Sequence, residues 1–170
     1  MKTVKVKDAD LRRAAGEGMD EFVKVFTDAI MESIGWELTA ETMGELNAEQ
    51  ITLIAYTILR DEVMDGGFVQ LIHNGYGGFI FRNPFGKAIR EWGIDELATL
   101  MNKGKKLYFK YHDEIECDCS EEEFMALFEK YPVFDDLDDT FVENEEDWTA
   151  QVAGYVDEHI DKFAEIETDE

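Results

Sequence analysis

Long apolar runs are missing from this chain: no window approaches the roughly 18 consecutive apolar residues that a membrane-spanning helix needs. Proline occurs twice in 170 residues, and so does cysteine. Scarce proline leaves amphipathic stretches of ten or more residues uninterrupted along most of the length, a pattern of helices rather than strands. Cys117 and Cys119 are too close together for an ordinary stapling disulfide, and so few cysteines fit a reducing compartment. Cations are also in short supply. Lys and Arg number 16 against 40 Asp and Glu, for a net charge of −24, a sign that anionic lipid and nucleic acid both repel. Met1 to Arg13 holds a few lysines with no apolar segment behind them, so no secretory signal is read there. These deficits predict a cytoplasmic protein that binds neither membrane nor nucleic acid directly.

What the chain does have is material for a core. With 45% hydrophobic and 12% aromatic residues it can bury enough apolar surface to fold despite its charge. The expected fold is all-α: a single-domain compact helical bundle of about seven to nine helices around a central buried helix. Residues 1–18 are expected to form an N-terminal extension and residues 165–170 a frayed acidic tail. Phe22, Phe26, Ala29 and Ile30 share one face of a helix over 20–34. Asn47 with Gln50 makes a capping box for the next helix. That helix is apolar on nearly every side (Leu53, Ile54, Tyr56, Leu59, Val63), which puts it at the centre. Gly66 and Gly67 break it, and a short helix and an irregular turn follow.

Asn83-Pro84 predicts an N-cap and first helical residue for a short helix to Trp92. A helix over 94–111 carries Lys103, Lys105, Lys106 and Lys110 towards its C-terminal end, where the helix dipole favours cations. Ser120 with Glu123 caps a helix that Pro132 ends. Phe134, Leu137 and Phe141 predict a short helix, and a separate last helix from about Glu146 presents Trp148, Val152, Val156 and Phe163 on one face.

The charge is unevenly spread. Residues 113–170 hold 23 Asp and Glu against two lysines, whereas residues 1–112 hold 17 against 14 Lys and Arg. Because apolar residues account for the inner faces of these helices, the carboxylates between them are expected to point outward. Ten base pairs of B-DNA carry on the order of 20 phosphates, which the acidic third matches in total charge. Two readings account for this: a solvated acidic surface, or a surface that imitates the phosphate backbone and binds a basic DNA-binding protein through its Lys and Arg. On the second reading the contact residues are Asp135, Asp136, Asp138, Asp139, Glu143, Glu145, Glu146, Asp147, Asp157 and Asp161.

The segment Asp61-Glu62-Val63-Met64-Asp65-Gly66-Gly67-Phe68-Val69-Gln70-Leu71-Ile72-His73-Asn74 resembles the Glu-Val-x-Asn-Gly-Gly-Phe-x-Gln-(apolar)₂-x-Asn pattern of a bacterial family of acidic DNA-mimic proteins. The likeness covers roughly residues 45–115. It implies a helical fold and, from the branch with a named activity, a dimer that imitates duplex DNA to sequester a transcription regulator. A homodimer therefore fits this chain. Asp65 stands where the pattern has Asn, which keeps the turn chemistry and adds a charge. Glu62, Gly66, Gly67, Phe68, Gln70 and Asn74 match the pattern and are read as structural: glycines for a tight turn, Phe68 for the core, polar side chains to cap exposed backbone. The alternative function is a non-enzymatic interaction module of immunity or antitoxin type, recognised through the glycine-rich loop at Tyr76 and Phe79.

No catalytic motif is present: there is no Walker loop, no His-Glu-x-x-His and no Gly-x-Ser-x-Gly. The Asp135–Asp139 cluster has neither the turn glycine nor the ligand spacing of an EF-hand. Cys117, Cys119 and His112 are three soft ligands where a structural zinc site wants four. His73 and His159 lie on or beside apolar faces and are expected to be hydrogen-bonded core histidines. The reading is a protein that is not an enzyme and takes no cofactor or metal.

Overall fold

The computed structural model describes residues 3–116 and 119–168; Cys117 lies outside them. The chain is all-α apart from two three-residue strands. In order, the elements are β1 (Lys5–Lys7), α1 (Asp8–Glu17), α2 (Met19–Ser33), α3 (Ala40–Met43), α4 (Ala48–His73), α5 (Gly77–Phe81), α6 (Phe85–Glu91), α7 (Asp95–Ile115), α8 (Glu121–Lys130), a 3₁₀ turn (Pro132–Phe134), α9 (Asp135–Glu158), α10 (Ile160–Phe163) and β2 (Glu165–Glu167). Among the described residues no helix is long and apolar enough to cross a membrane. The chain divides into two compact units, one made of Met1–Ile54 with Asp147–Glu170, the other of Ala55–Glu146. Helices α4 and α9 each contribute one segment to either unit.

In the first unit α1 packs against α2, and Phe22, Phe26 and Ile30 of α2 are buried together with Trp148, Val152 and Val156 of α9 and Phe163 of α10. The Phe26 and Phe163 rings meet edge-on, 6.4 Å between centroids. The capping box at α4 forms as its sequence predicts: Gln50 N–H donates to Asn47 Oδ1 at 2.8 Å and Asn47 N–H to Gln50 Oε1 at 3.0 Å. The spare amides of the same two side chains donate to the carbonyls of Lys162 and Phe163. One capping box thus satisfies helix ends on two elements, four orphan groups that water would otherwise have to pair. The residues read from sequence as an extension and a tail contain β1 and β2, which pair in parallel with Lys5 opposite Glu165, Val6 opposite Ile166 and Lys7 opposite Glu167.

In the second unit the core gathers Tyr56, Leu59, Phe68, Leu71 and Ile72 of α4, Ile80 and Phe81 of α5, Ile89 of α6, and Leu97, Met101 and Tyr108 of α7. Helix α8 begins at Ser120, whose hydroxyl accepts from Glu123 N–H as expected. Two local expectations are corrected. Asn83 does not cap α6; its amide donates to the Phe79 carbonyl at 2.8 Å, and Pro84, with ψ 44°, sits ahead of the helix. The two helices read over 134–163 are one 24-residue helix up to Glu158: Glu145 occupies the inward position that reads in the sequence as a gap in the apolar stripe.

Candidate partner-binding surface

The acidic surface of the second unit is built on α9. At about 100° per residue, Asp135, Asp136, Asp139, Glu143 and Glu146 fall within an arc of about 100° and no other residue of that stretch shares it. The buried residues Leu137, Phe141 and Glu145 point the other way. All five carboxylates of the arc are exposed, and among the described residues no cation lies within ion-pair distance of them. They span about 16 Å of helix axis at 1.5 Å per residue, roughly one charge every 4 Å, against 3.4 Å per charge along one strand of B-DNA. Asp136 stands at the edge of the arc, in a groove of about 410 Å³ that Lys103 and Lys106 of α7 also line, so cations bound the stripe on that side.

Two of the carboxylates expected to face outward do not. Glu145 is 8% exposed and accepts from Arg60 Nε at 2.5 Å, the two side chains being 10% and 28% exposed. A carboxylate can hold a core position of a helix when a guanidinium comes in with it. Asp138 is half-buried, and its Oδ1 accepts the Phe68 backbone N–H at 2.8 Å. Burial is the main cause that pushes its carboxyl up to about 6; the Phe68 bond opposes the rise and the neighbouring Asp135 and Asp139 charges add to it. Asp138 therefore caps backbone.

What Asp138 caps is the break in α4. Gly67 has φ 77° and ψ −175°, and helical geometry resumes at Phe68, whose backbone N–H is the one Asp138 accepts. A Cβ on Gly67 would lie 2.4 Å from Asp138 Oδ2. Gly66, by contrast, keeps helical dihedrals, and it is glycine because the Gln70 side chain folds over it: a Cβ there would lie 1.9 Å from Gln70 Oε1. Gln70 and Asn74 do not cap backbone, contrary to the expectation from sequence. Both donate to Glu62 Oε2, at 2.9 and 3.0 Å, and Gln70 Nε2 also reaches Asp65 Oδ2 at 2.9 Å. The Glu-Val-x-x-Gly-Gly-Phe-x-Gln pattern thus encodes one device, a carboxylate before the break holding two amides after it, with the fully buried Phe68 as its anchor.

The remaining contact candidates, Asp147, Asp157 and Asp161, are exposed and belong to the first unit. The histidines are engaged locally. His73 Nδ1 donates to the Ile115 carbonyl at 2.9 Å, and its ring lies on Phe124. His159 donates to the Tyr155 carbonyl and stacks on that ring. His112 stacks on Tyr108 and lies 3.2 Å from Glu116 Oε2. The Tyr108 hydroxyl accepts from Arg82 Nε and donates to Glu116, a chain that sequence reading did not find because its members are far apart along the chain.

A family model described as DMP19-like protein matches residues 44–159. The chain is also similar to the DNA mimic protein DMP19 of Neisseria meningitidis serogroup B (strain ATCC BAA-335 / MC58), 34% identical over 135 residues that make up 76% of this chain and 82% of that protein. The matched span includes both the Gly67 break and the α9 arc, the pattern-bearing segment and the helix that caps it. The chain belongs to the DMP19-like family.

Proposed function

We propose that this protein is a non-enzymatic DNA mimic: the α9 arc takes the place of a phosphate backbone in the DNA site of a basic DNA-binding protein, such as a transcription regulator, and competes with DNA for it. The observation that carries the reading is the linear arc of five exposed carboxylates without cation partners among the described residues. A fold that needed only solubility has no reason to align them, since like charges three and four residues apart destabilise a helix. The name of the Neisseria relative agrees with it. Asp147, Asp157 and Asp161 add charge on the first unit, and association of two copies would lengthen the surface presented. The site of action is the cytoplasm, where such partners work.

The test is affinity capture from cytoplasmic extract with separate elution by salt and by duplex DNA, followed by titration of the recovered protein with the fivefold variant D135N/D136N/D139N/E143Q/E146Q. Mimicry predicts a DNA-displaceable partner, and a slope of log affinity against log salt that flattens by up to about 4 when five charges are removed. A partner indifferent to DNA, bound equally by the variant, refutes it. A second reading, an interaction module of immunity or antitoxin type, rests on Tyr76, which is 38% exposed beside the glycine-rich turn. On that reading Tyr76→Ala weakens binding more than loss of the arc does.

A further inference from the structure

A cavity of about 300 Å³ opens on the second unit between α5, α6 and α7. Its apolar lining comes from Ile80, Phe81 and Met101, all buried. Three exposed cations line it as well: Lys87 and Arg90, three residues apart on α6, and Lys105 on α7. The polar side also holds Asn102, one turn before Lys105, and Asn83, whose amide donates to the Phe79 carbonyl. No carboxylate lines it.

That composition is anomalous for this chain. Carboxylates outnumber cations 40 to 16, yet none lines this cavity; some cations elsewhere are paired, Arg12 with Asp8 at 2.9 Å and Lys24 with Asp28 at 2.6 Å among them. Among the described residues Lys87, Arg90 and Lys105 have no ion pair, and Asn102 no hydrogen bond from its side chain. Three cations that line one cavity without a carboxylate among its lining are available to an anion from outside. The protein's distant negative charge does not prevent this, because at physiological salt it is screened beyond about 8 Å, while a ligand in the cavity lies within a few ångströms of the cations.

The charge and the shape together select a ligand class. Three cations suit a dianion better than a single carboxylate, the guanidinium of Arg90 offers a planar fork for phosphate oxygens, and the apolar lining suits a body of ring size. At about 300 Å³ the cavity is at the small end of ligand pockets. We propose that this cavity binds a small phosphate monoester with an apolar body, of the size of a nucleoside monophosphate, at a site separate from the α9 arc.

The experiment is an amide NMR titration of the whole chain with adenosine 5′-monophosphate, with adenosine and inorganic phosphate as separate arms, repeated on R90Q/K105Q. Both substituted side chains are exposed, and a thermal melt confirms that the variant folds. The expected result is saturable shifts confined to α5, α6 and α7 with the monophosphate, weaker saturation with phosphate, none with adenosine, and a loss of about tenfold in affinity for each cation removed. Equal binding of adenosine, unchanged binding by R90Q/K105Q, or no saturation by 10 mM ligand (roughly the millimolar affinity range that three exposed charge contacts give) each overturns the assignment. Tighter binding of 5′-phosphorylated duplex DNA than of the monophosphate overturns the small-ligand class.

Discussion

Replacing Gly67 by alanine tests how the break in α4 is held. At φ 77° and ψ −175° the backbone occupies a region that is essentially glycine's alone, and an L-residue there costs about 1–3 kcal/mol. The new Cβ would sit 2.4 Å from Asp138 Oδ2 and 2.8 Å from its Cγ, so the carboxylate must swing away and give up the Phe68 N–H it holds at 2.8 Å. Because Phe68 is fully buried, stranding that donor costs about another 1–3 kcal/mol. G67A should therefore lose about 2–6 kcal/mol. Urea denaturation measures the loss, and native-state exchange of the Phe68 amide localises it. The two parts separate in a double-mutant cycle. In a D138A background the cap is already gone, so G67A should cost only its backbone strain, and the coupling should be about 1–3 kcal/mol. A G67A loss below about 0.5 kcal/mol, or strict additivity with D138A, refutes the account of the break.

Other outcomes follow from the same geometry. Burial raises the Asp138 carboxyl to about 6, above its ordinary value of 3.8, so the folded state holds this proton more tightly than the unfolded chain and stability falls as pH rises from about 4 through 6. The full shift corresponds to about 3 kcal/mol, and partial exposure reduces it to the order of 1–2. D138N keeps a carbonyl oxygen for Phe68 and should flatten urea-measured stability across that window while raising it at pH 7.5; an unchanged slope between pH 4 and 6 counts against it. E145A leaves Arg60 without its buried partner and should lose about 2 kcal/mol, whereas R60M/E145L, which removes both charges and fills the stripe, should recover most of it in the same denaturation assay. The fivefold neutralisation of the α9 arc should leave thermal stability unchanged or raise it, since each removed pair of like charges relieves a few tenths of a kcal/mol; a large loss would mean the arc supports the fold rather than a partner.

What could be read from sequence was local. The Asn47–Gln50 capping box forms as predicted, and of the Ser120–Glu123 box the half in which Ser120 accepts the Glu123 N–H, because partners three residues apart need only the helix to find each other. The all-α class and the inward face of α2 follow from periodicity in the same way. Long-range pairings escaped. Glu145 and Asp138 read as surface charge because nothing in their own helix announces Arg60, 85 residues earlier, or the Phe68 amide, 70 residues earlier. The continuity of α9 was hidden by the same glutamate. One signal was available and unused: Lys-Val-Lys near one end and Glu-Ile-Glu near the other alternate in phase with opposite charge, as paired strands do. For the contact surface, the arc of five was implicit in the residue numbers, but only the buried face of α9 shows which carboxylates lie opposite it.

The pairing of β1 with β2 bears on the order in which the molecule is made. The second unit is one unbroken stretch, Ala55–Glu146, whereas the first needs both Met1–Ile54 and Asp147–Glu170. During synthesis the residues that bear the Gly67 break, its Asp138 cap and the whole α9 arc all leave the ribosome before Trp148, Val152, Val156 and Phe163. Until those four arrive, Phe22, Phe26 and Ile30 have no apolar partners from the late segment, and β1 has no strand to pair with. The unit whose first segment precedes the other is thus the unit completed later, and a nascent chain stalled after Glu146 would carry every carboxylate of the arc while Met1–Ile54 still awaited the rest of its core.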